Sequence, residues 1–183
     1  MKEQQKKYEL TDEFIEHWGG KKLYRIRALV SFGVVMAGQL GGFVESEKNL
    51  DQSLSGDAWV SGDAWVSGNA RVSGNARVYG DAQVSGDAQV YGDAWVYGDA
   101  WVRSCAVISE RKMIFWASNV GSENGTLTVF NGKDELIVTR GCFTGSVDEF
   151  LAKSAEVHDD KTKNEYKLLI EVAKSRILGV KDE

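Results

Sequence analysis

The chain has 183 residues, 43% of them hydrophobic, with 22 Lys and Arg against 27 Asp and Glu, a formal net charge of −5 and no proline. This length allows one compact domain or two small ones, and the acidic balance argues against a general nucleic-acid-binding surface, which is normally basic. Two cysteines, Cys105 and Cys142, are too few for a disulfide frame and suit free thiols in a reducing compartment. The opening MKEQQKKYEL has no apolar stretch behind its basic residues, so no secretory leader is expected. The run from Leu29 to Gly38 is too short to span a bilayer. A cytoplasmic protein without membrane contact is expected.

Residues 1–7 are polar and expected to fray. Tyr8 to Trp18 and Leu23 to Val30 have strand character and flank Gly19-Gly20, which predicts a β-hairpin. Phe32 to Phe43, with four glycines, reads as irregular strand and turn. Val44 and Leu50 are six residues apart, as are Leu54 and Val60. The first coil of the structure that follows can therefore begin early, after a slip of register. Residues 1–54 are assigned to an N-terminal β-hairpin cap.

Residues 55–102 read SGDAWV SGDAWV SGNARV SGNARV YGDAQV SGDAQV YGDAWV YGDAWV, and RSCAVI at 103–108 is a degenerate ninth hexad. A fixed short period is the mark of a solenoid. Each hexad places Ala two residues before Val (Ala58 and Val60, Ala64 and Val66, onward to Ala106 and Ile108). Residues two apart share one face of a strand, so Ala and Val point inward and the residue between them points outward. Gly followed by Asp or Asn makes the corner. A single unit cannot bury its Val alone; stacked coils can.

With three hexads per coil, residues 18 apart form columns. Face one then holds Trp59, Ser61, Arg77, Tyr79, Trp95 and Tyr97. Face two holds Trp65, Ser67, Gln83, Ser85, Trp101 and Arg103. Face three holds Arg71, Ser73, Gln89, Tyr91, Val107 and Ser109. Face one is strongly aromatic, and Arg77 is expected between the indoles of Trp59 and Trp95. Such a patch is either a ladder that stiffens the solenoid or an interface, since Trp, Tyr and Arg concentrate at hot spots. Trp59, Arg77, Tyr79, Trp95 and Tyr97, with Trp65 and Trp101 of face two, are the candidate interface residues. Asp63, Asp81 and Asp99 share one corner column. A cation there would relieve their repulsion; the plainer reading is three solvated carboxylates that cap turn amides.

Beyond the repeat, Met113 to Ala117 is strand-like, and Leu127 to Phe130 and Leu136 to Thr139 flank Asn131-Gly132, a second hairpin signal. Ser146 and Glu149 form a capping box that opens a helix, with Val147, Phe150, Leu151 and Ala155 on its apolar side. A second helix is predicted from about Lys161 to Leu178, stopped by Gly179, with Tyr166, Leu169, Ile170, Ala173 and Ile177 buried. Residues 109–183 thus form an α+β unit with two helices, covering the far end of the tube or docked beside it. Gly141-Cys-Phe-Thr-Gly145 reads as a tight strand-to-helix turn with Cys142 packed, or as an anion-binding turn with an activated thiol.

The Val-x-Gly-Asp-Ala-x pattern of residues 55–108 resembles the hexapeptide repeat of left-handed parallel β-helices. The resemblance implies a mainly β fold with about three coils. It alone supplies the left hand, because ordinary parallel crossovers are right-handed. Tyr8-Glu-Leu-Thr-Asp12, Arg25-Ile-Arg-Ala-Leu29, Gly41-Gly-Phe-Val-Glu-Ser46 and Arg140-Gly-Cys-Phe-Thr-Gly145 resemble segments of small phage and prophage proteins with this repeat. Acyltransferases on this solenoid need a catalytic His and a loop leaving a coil; here the hexads run uninterrupted and contain no His. The γ-class carbonic anhydrases use three His for zinc, while this chain has only His17 and His158. Both are expected to be ordinary surface residues.

The resemblance implies a phage-borne accessory protein, expected to be non-enzymatic and to need no cofactor. It would form homo-oligomers, a trimer before a dimer, and bind a host protein, with a defence component one candidate. The alternatives are an acyltransferase-like enzyme, a structural assembly protein, or a protein that holds a small ligand between subunits.

Overall fold

The computed structural model describes residues 4–179. Residues 1–3 of the segment expected to fray, and the last four residues of the chain, lie outside the described residues.

Nine two-residue strands carry the solenoid: β4 (Trp59–Val60), β5 (Trp65–Val66), β6 (Arg71–Val72), β7 (Arg77–Val78), β8 (Gln83–Val84), β9 (Gln89–Val90), β10 (Trp95–Val96), β11 (Trp101–Val102) and β12 (Val107–Ile108). They pair in parallel with their counterparts 18 residues on: Val60 with Val78 with Val96, Val66 with Val84 with Val102, and Val72 with Val90 with Ile108. All nine side chains are fully buried, as are the alanines of the second to ninth hexads. Removing each Val from water contributes about 1.5–3 kcal/mol, so the columns are the main stabilising element of the tube. The corner glycines from Gly62 to Gly98 have positive φ. At Gly62 an added Cβ would also lie 3.1 Å from the carbonyl oxygen of Gly80 one coil above, so the corner needs glycine both for its conformation and for the close approach.

The solenoid gains a partial fourth coil at its N-terminal end. β1 (Tyr8–His17) and β2 (Lys21–Ala28) form the expected antiparallel hairpin, and β2 pairs antiparallel with β3 (Leu40–Val44). β3 then pairs in parallel with β5, Phe43 beside Trp65 and Val44 beside Val66, and Leu50 bridges to Val72. Val44 and Leu50 are thus true column residues. The slip falls between Leu50 and Val60, ten residues apart where the repeat has six. Leu54, six before Val60, is 48% exposed and lies outside the columns: the extra residues bulge at that corner.

The hairpin buries Ile26 and Ala28 in the same core as Val44, Leu50 and Val60. Lys7 does not fray. Its side chain is fully buried, its ammonium donates to Gly56 O at 2.8 Å, and it lies 4.3 Å from the centre of the Phe32 ring. Burial lowers its pKa, with Asp51 and Asp57 opposing. The Tyr8 hydroxyl reaches Leu50 O at 2.7 Å, and the Gln52 side-chain carbonyl accepts from the Lys7 and Tyr8 amides. Asn49, fully buried, donates to Gly68 O and Ala70 O at 3.0 and 2.9 Å. Backbone groups left free at the tube's first edge are satisfied in this way.

The other end is closed by an antiparallel sheet, β13 (Ile114–Val120), β14 (Gly125–Asn131), β15 (Leu136–Arg140) and β16 (Phe143–Ser146), in that order. Ile114, Phe130 and Ile137 join the solenoid core. Thr128 Oγ1 accepts from the Trp101 amide at 3.1 Å, Thr139 Oγ1 donates to Trp101 O at 2.7 Å, and Asn131 donates to Val107 O at 3.0 Å. The sheet therefore caps the last coil rather than docking at its side.

α1 (Val147–Val157) begins at the predicted capping box, with Glu149 N donating to Ser146 Oγ at 3.1 Å. α2 (Asp160–Leu178) ends at Gly179, whose φ is 79°. Tyr166, Ile170, Ala173 and Ile177 pack with Val147, Phe150 and the sheet residues Leu127, Val129 and Val138 in a second core. Ala155, expected on the apolar side of α1, is exposed, and Ser154 is buried in its stead, bonded to His158. The predicted mainly β fold, with a short solenoid, a β cap and a C-terminal α+β unit, is observed, and no helix among the described residues is long and apolar enough to cross a membrane.

Candidate functional site

The pairing of β4, β7 and β10 places Trp59, Arg77 and Trp95 one above another on face one, as the repeat predicts. Their environments differ. Trp59 points away from the tube axis but is only 4% exposed, because the N-terminal cap folds over it. Tyr8 meets it edge-on at 6.3 Å and Phe32 at 5.4 Å. Among the described residues, its indole N–H has no hydrogen-bond partner. Trp59 is thus a strut between cap and solenoid, not an exposed contact residue. Arg77 is not clamped between two indoles either. The guanidinium on Trp95 belongs to Arg111, 3.4 Å from the ring centre and delivered by the short turn (Arg111–Met113) after the last coil.

What remains exposed on face one is a chain of rings. Tyr79 and Tyr97 stack in parallel at 4.9 Å with 5° between their planes. Tyr97 meets Trp116 edge-on at 4.5 Å, and Tyr79 meets Trp95 edge-on at 6.3 Å. Burial and the neighbouring Tyr97 raise the Tyr79 pKa, while Arg111 and Arg77 oppose the shift. Two hollows share Trp95. One, about 460 Å³, runs between Tyr97, Trp116 and Arg111 to Val172 and Arg176 of α2. The other, about 260 Å³, runs past Arg77, Tyr79 and Ser61 to Val34 and Gln39 of the cap. Together they make one groove walled by both terminal units. Trp116 and Arg111 come from outside the repeat. Their signal in the sequence was only a Trp and an Arg close after the last hexad, with nothing to say which face they reach.

Face two carries a second groove of about 590 Å³. Trp65, Gln83 and Trp101 form its floor in register. His17 and Trp18 from the β1–β2 turn line one side, and Gly141 and Cys142 from the β15–β16 turn line the other. The His17 ring lies 4.4 Å from Trp65, and the Arg103 guanidinium lies 4.6 Å from the Trp101 ring. Cys142 is exposed, not packed, because Phe143–Ser146 form a strand and the helix starts only at Val147. The first turn of that helix is capped by Ser146, so the anion-binding reading has no support there. No hydrogen bond joins His17 to Cys142. His158 faces Ser154 at 3.1 Å and sits edge-on to Tyr166.

The corner columns sort by charge. Asn69 donates to Asp87 at 3.0 Å and Asn75 to Asp93 at 3.3 Å, each one coil along. The Asp63, Asp81, Asp99 column has no amide; Asp99 accepts from Ser118 at 3.1 Å. Among the described residues, no group of three or more His, Cys, Asp or Glu is placed to hold a metal ion.

Comparison with protein families gives a match to the YdcK β-solenoid repeat over residues 70–86 and 88–104. The similarity covers the middle and end of the stacked hexads and none of the terminal units. It agrees with the geometry: this is a repeat β-helix protein. No curated protein matches the chain.

Proposed function

We propose that this is a non-catalytic binding protein, a stiff solenoid that offers its face-one groove to a partner protein. The observation that carries the reading is the run of contacting rings, Trp95, Tyr79, Tyr97 and Trp116, left partly open to solvent between two walls. Aromatic residues and arginine give large contact area at small entropic cost and dominate binding hot spots. The resemblance of the flanks to phage and prophage proteins supports a phage-borne accessory role in the host cytoplasm. The partner is then a host protein, with a defence component one candidate. Self-association, as a trimer before a dimer, is part of the same proposal.

A second reading, an enzyme at face two, is favoured by one observation, that His17 and Cys142 border the same groove. Against it, His17 is packed on Trp65 and no hydrogen bond links it to the thiol. An end-to-end assembly role is opposed by the covered ends of the tube.

Affinity capture from host lysate, with light scattering for subunit count, tests the proposal. The intact chain is expected to retain a partner that a Trp95→Ala/Tyr97→Ala variant loses. Undiminished capture by the variant, or turnover abolished by Cys142→Ser, would count against it.

A further inference from the structure

We propose that the segment bound in the face-one groove is acidic: a short peptide stretch carrying carboxylates beside an aromatic or aliphatic side chain. This deepens the binding reading above and rests on it.

The argument starts from the arginines. The chain has eight. Arg25 pairs with Glu13, Arg27 with Glu9, Arg71 with Asp51 and Arg140 with Glu123. Among the described residues, the other four have neither a carboxylate nor a side-chain hydrogen-bond partner. All four line the aromatic grooves: Arg77, Arg111 and Arg176 on face one, Arg103 on face two. Among the described residues, no Asp or Glu lines either groove.

A guanidinium carries five donors in a planar fork suited to carboxylate oxygens. Stacking on Trp95 occupies the face of the Arg111 group and fixes its plane. Its in-plane donors are left for a ligand, and holding the plane in advance lowers the ordering cost of binding. Arg77 stands in the column beside Trp95, at the other hollow, so an anion and a ring can be taken side by side.

The alternative anion is a nucleic acid strand, which also suits cationic grooves with rings. The body of the protein disfavours it. A strand carries one charge per nucleotide along its length, and it must run past a molecule of net charge −5 with only three guanidiniums to neutralise it. A peptide with one or two carboxylates places its charge only at the arginines.

The test sorts a surface-displayed library of random twelve-residue peptides against the full chain. The selected peptides are then titrated onto wild type, Arg77→Gln/Arg111→Gln, Arg77→Lys/Arg111→Lys and Tyr97→Ala, each checked for its fold by circular dichroism. Binders rich in Asp and Glu next to Trp, Phe or Leu are expected. Their affinity should fall about tenfold or more in the Gln variant, less in the Lys variant, and weaken as salt is raised. Neutral or basic binders that are lost in Tyr97→Ala overturn the acidic assignment and leave the binding reading standing. Tighter binding of a thymidine oligonucleotide than of any peptide, lost in the Gln variant, also overturns it in favour of nucleic acid. Binders indifferent to every groove substitution, or none at all, overturn both.

Discussion

The side-chain amide of Asn69 donates to the Asp87 carboxylate one coil away, at 3.0 Å. Asn75 does the same for Asp93. The two Asn hexads therefore place a neutral donor where another carboxylate would meet its neighbour at coil spacing. Asn69→Asp is expected to destabilise the protein by about 0.5–1 kcal/mol. Asp81→Asn, in the one all-carboxylate column, should stabilise it by a similar amount. Thermal melts at low and high salt check both, and the differences should shrink as salt screens them.

Trp59 and Trp18 separate packing from exposure. Trp59→Ala removes a ring held between Tyr8, Phe32 and the tube, and should cost about 3–5 kcal/mol in chemical denaturation. Trp18, 89% exposed, should change stability by no more than about 0.5 kcal/mol on replacement by Ala.

Tyr8 and Lys7 give opposite alkaline slopes. Burial, helped by Glu47, raises the Tyr8 phenol pKa well above its ordinary 10.0. Above that pH the unfolded chain loses a proton that the folded chain keeps, so stability falls as pH rises. Lys7 is lowered from 10.5 by burial. Between its folded value and 10.5 the unfolded chain holds the extra proton, so its own contribution rises with pH. Tyr8→Phe should flatten the loss above pH 10 and remove about 1 kcal/mol at neutral pH with the bond to Leu50 O. Lys7→Met should remove the rise. Denaturation curves between pH 8 and 11 would read both slopes.

Thr128 and Thr139 hold the Trp101 backbone from the capping sheet. Thr128→Val leaves that amide without an acceptor and should cost about 1–3 kcal/mol. Hydrogen exchange at the Trp101 N–H should speed up while exchange in the middle coil, at Gln83, stays slow.

The stacked interior was legible because each hexad states its own inward pair, Ala and Val, and parallel pairing at 18 residues follows from arithmetic on the repeat. Hairpins and helix ends were legible for the same local reason: Gly19-Gly20, Asn131-Gly132, Ser146 and Gly179 carry their turn or cap chemistry with them. Leu54 had the right spacing and the wrong place, since a bulge is invisible to a count of six. Burial of Trp59 and Lys7 depends on segments 25 to 51 residues away in sequence coming to rest on one face, and the arrival of Arg111 on Trp95 on a turn whose direction no local residue dictates. The aromatic face was therefore predictable as a column, and its division into a covered half and an open half was not.

Because unlike lids close the two mouths, the number of coils acts as a spacer with a phase. Adding one whole coil of 18 residues would move the lids apart by about 4.8 Å while keeping them on the same sides. Adding a lone hexad would swing the C-terminal unit round by a third of a revolution. His17 and Cys142, which now look across one hollow, would then lie over different sides of the prism. Natural length variants of such a molecule should accordingly differ by multiples of three hexads.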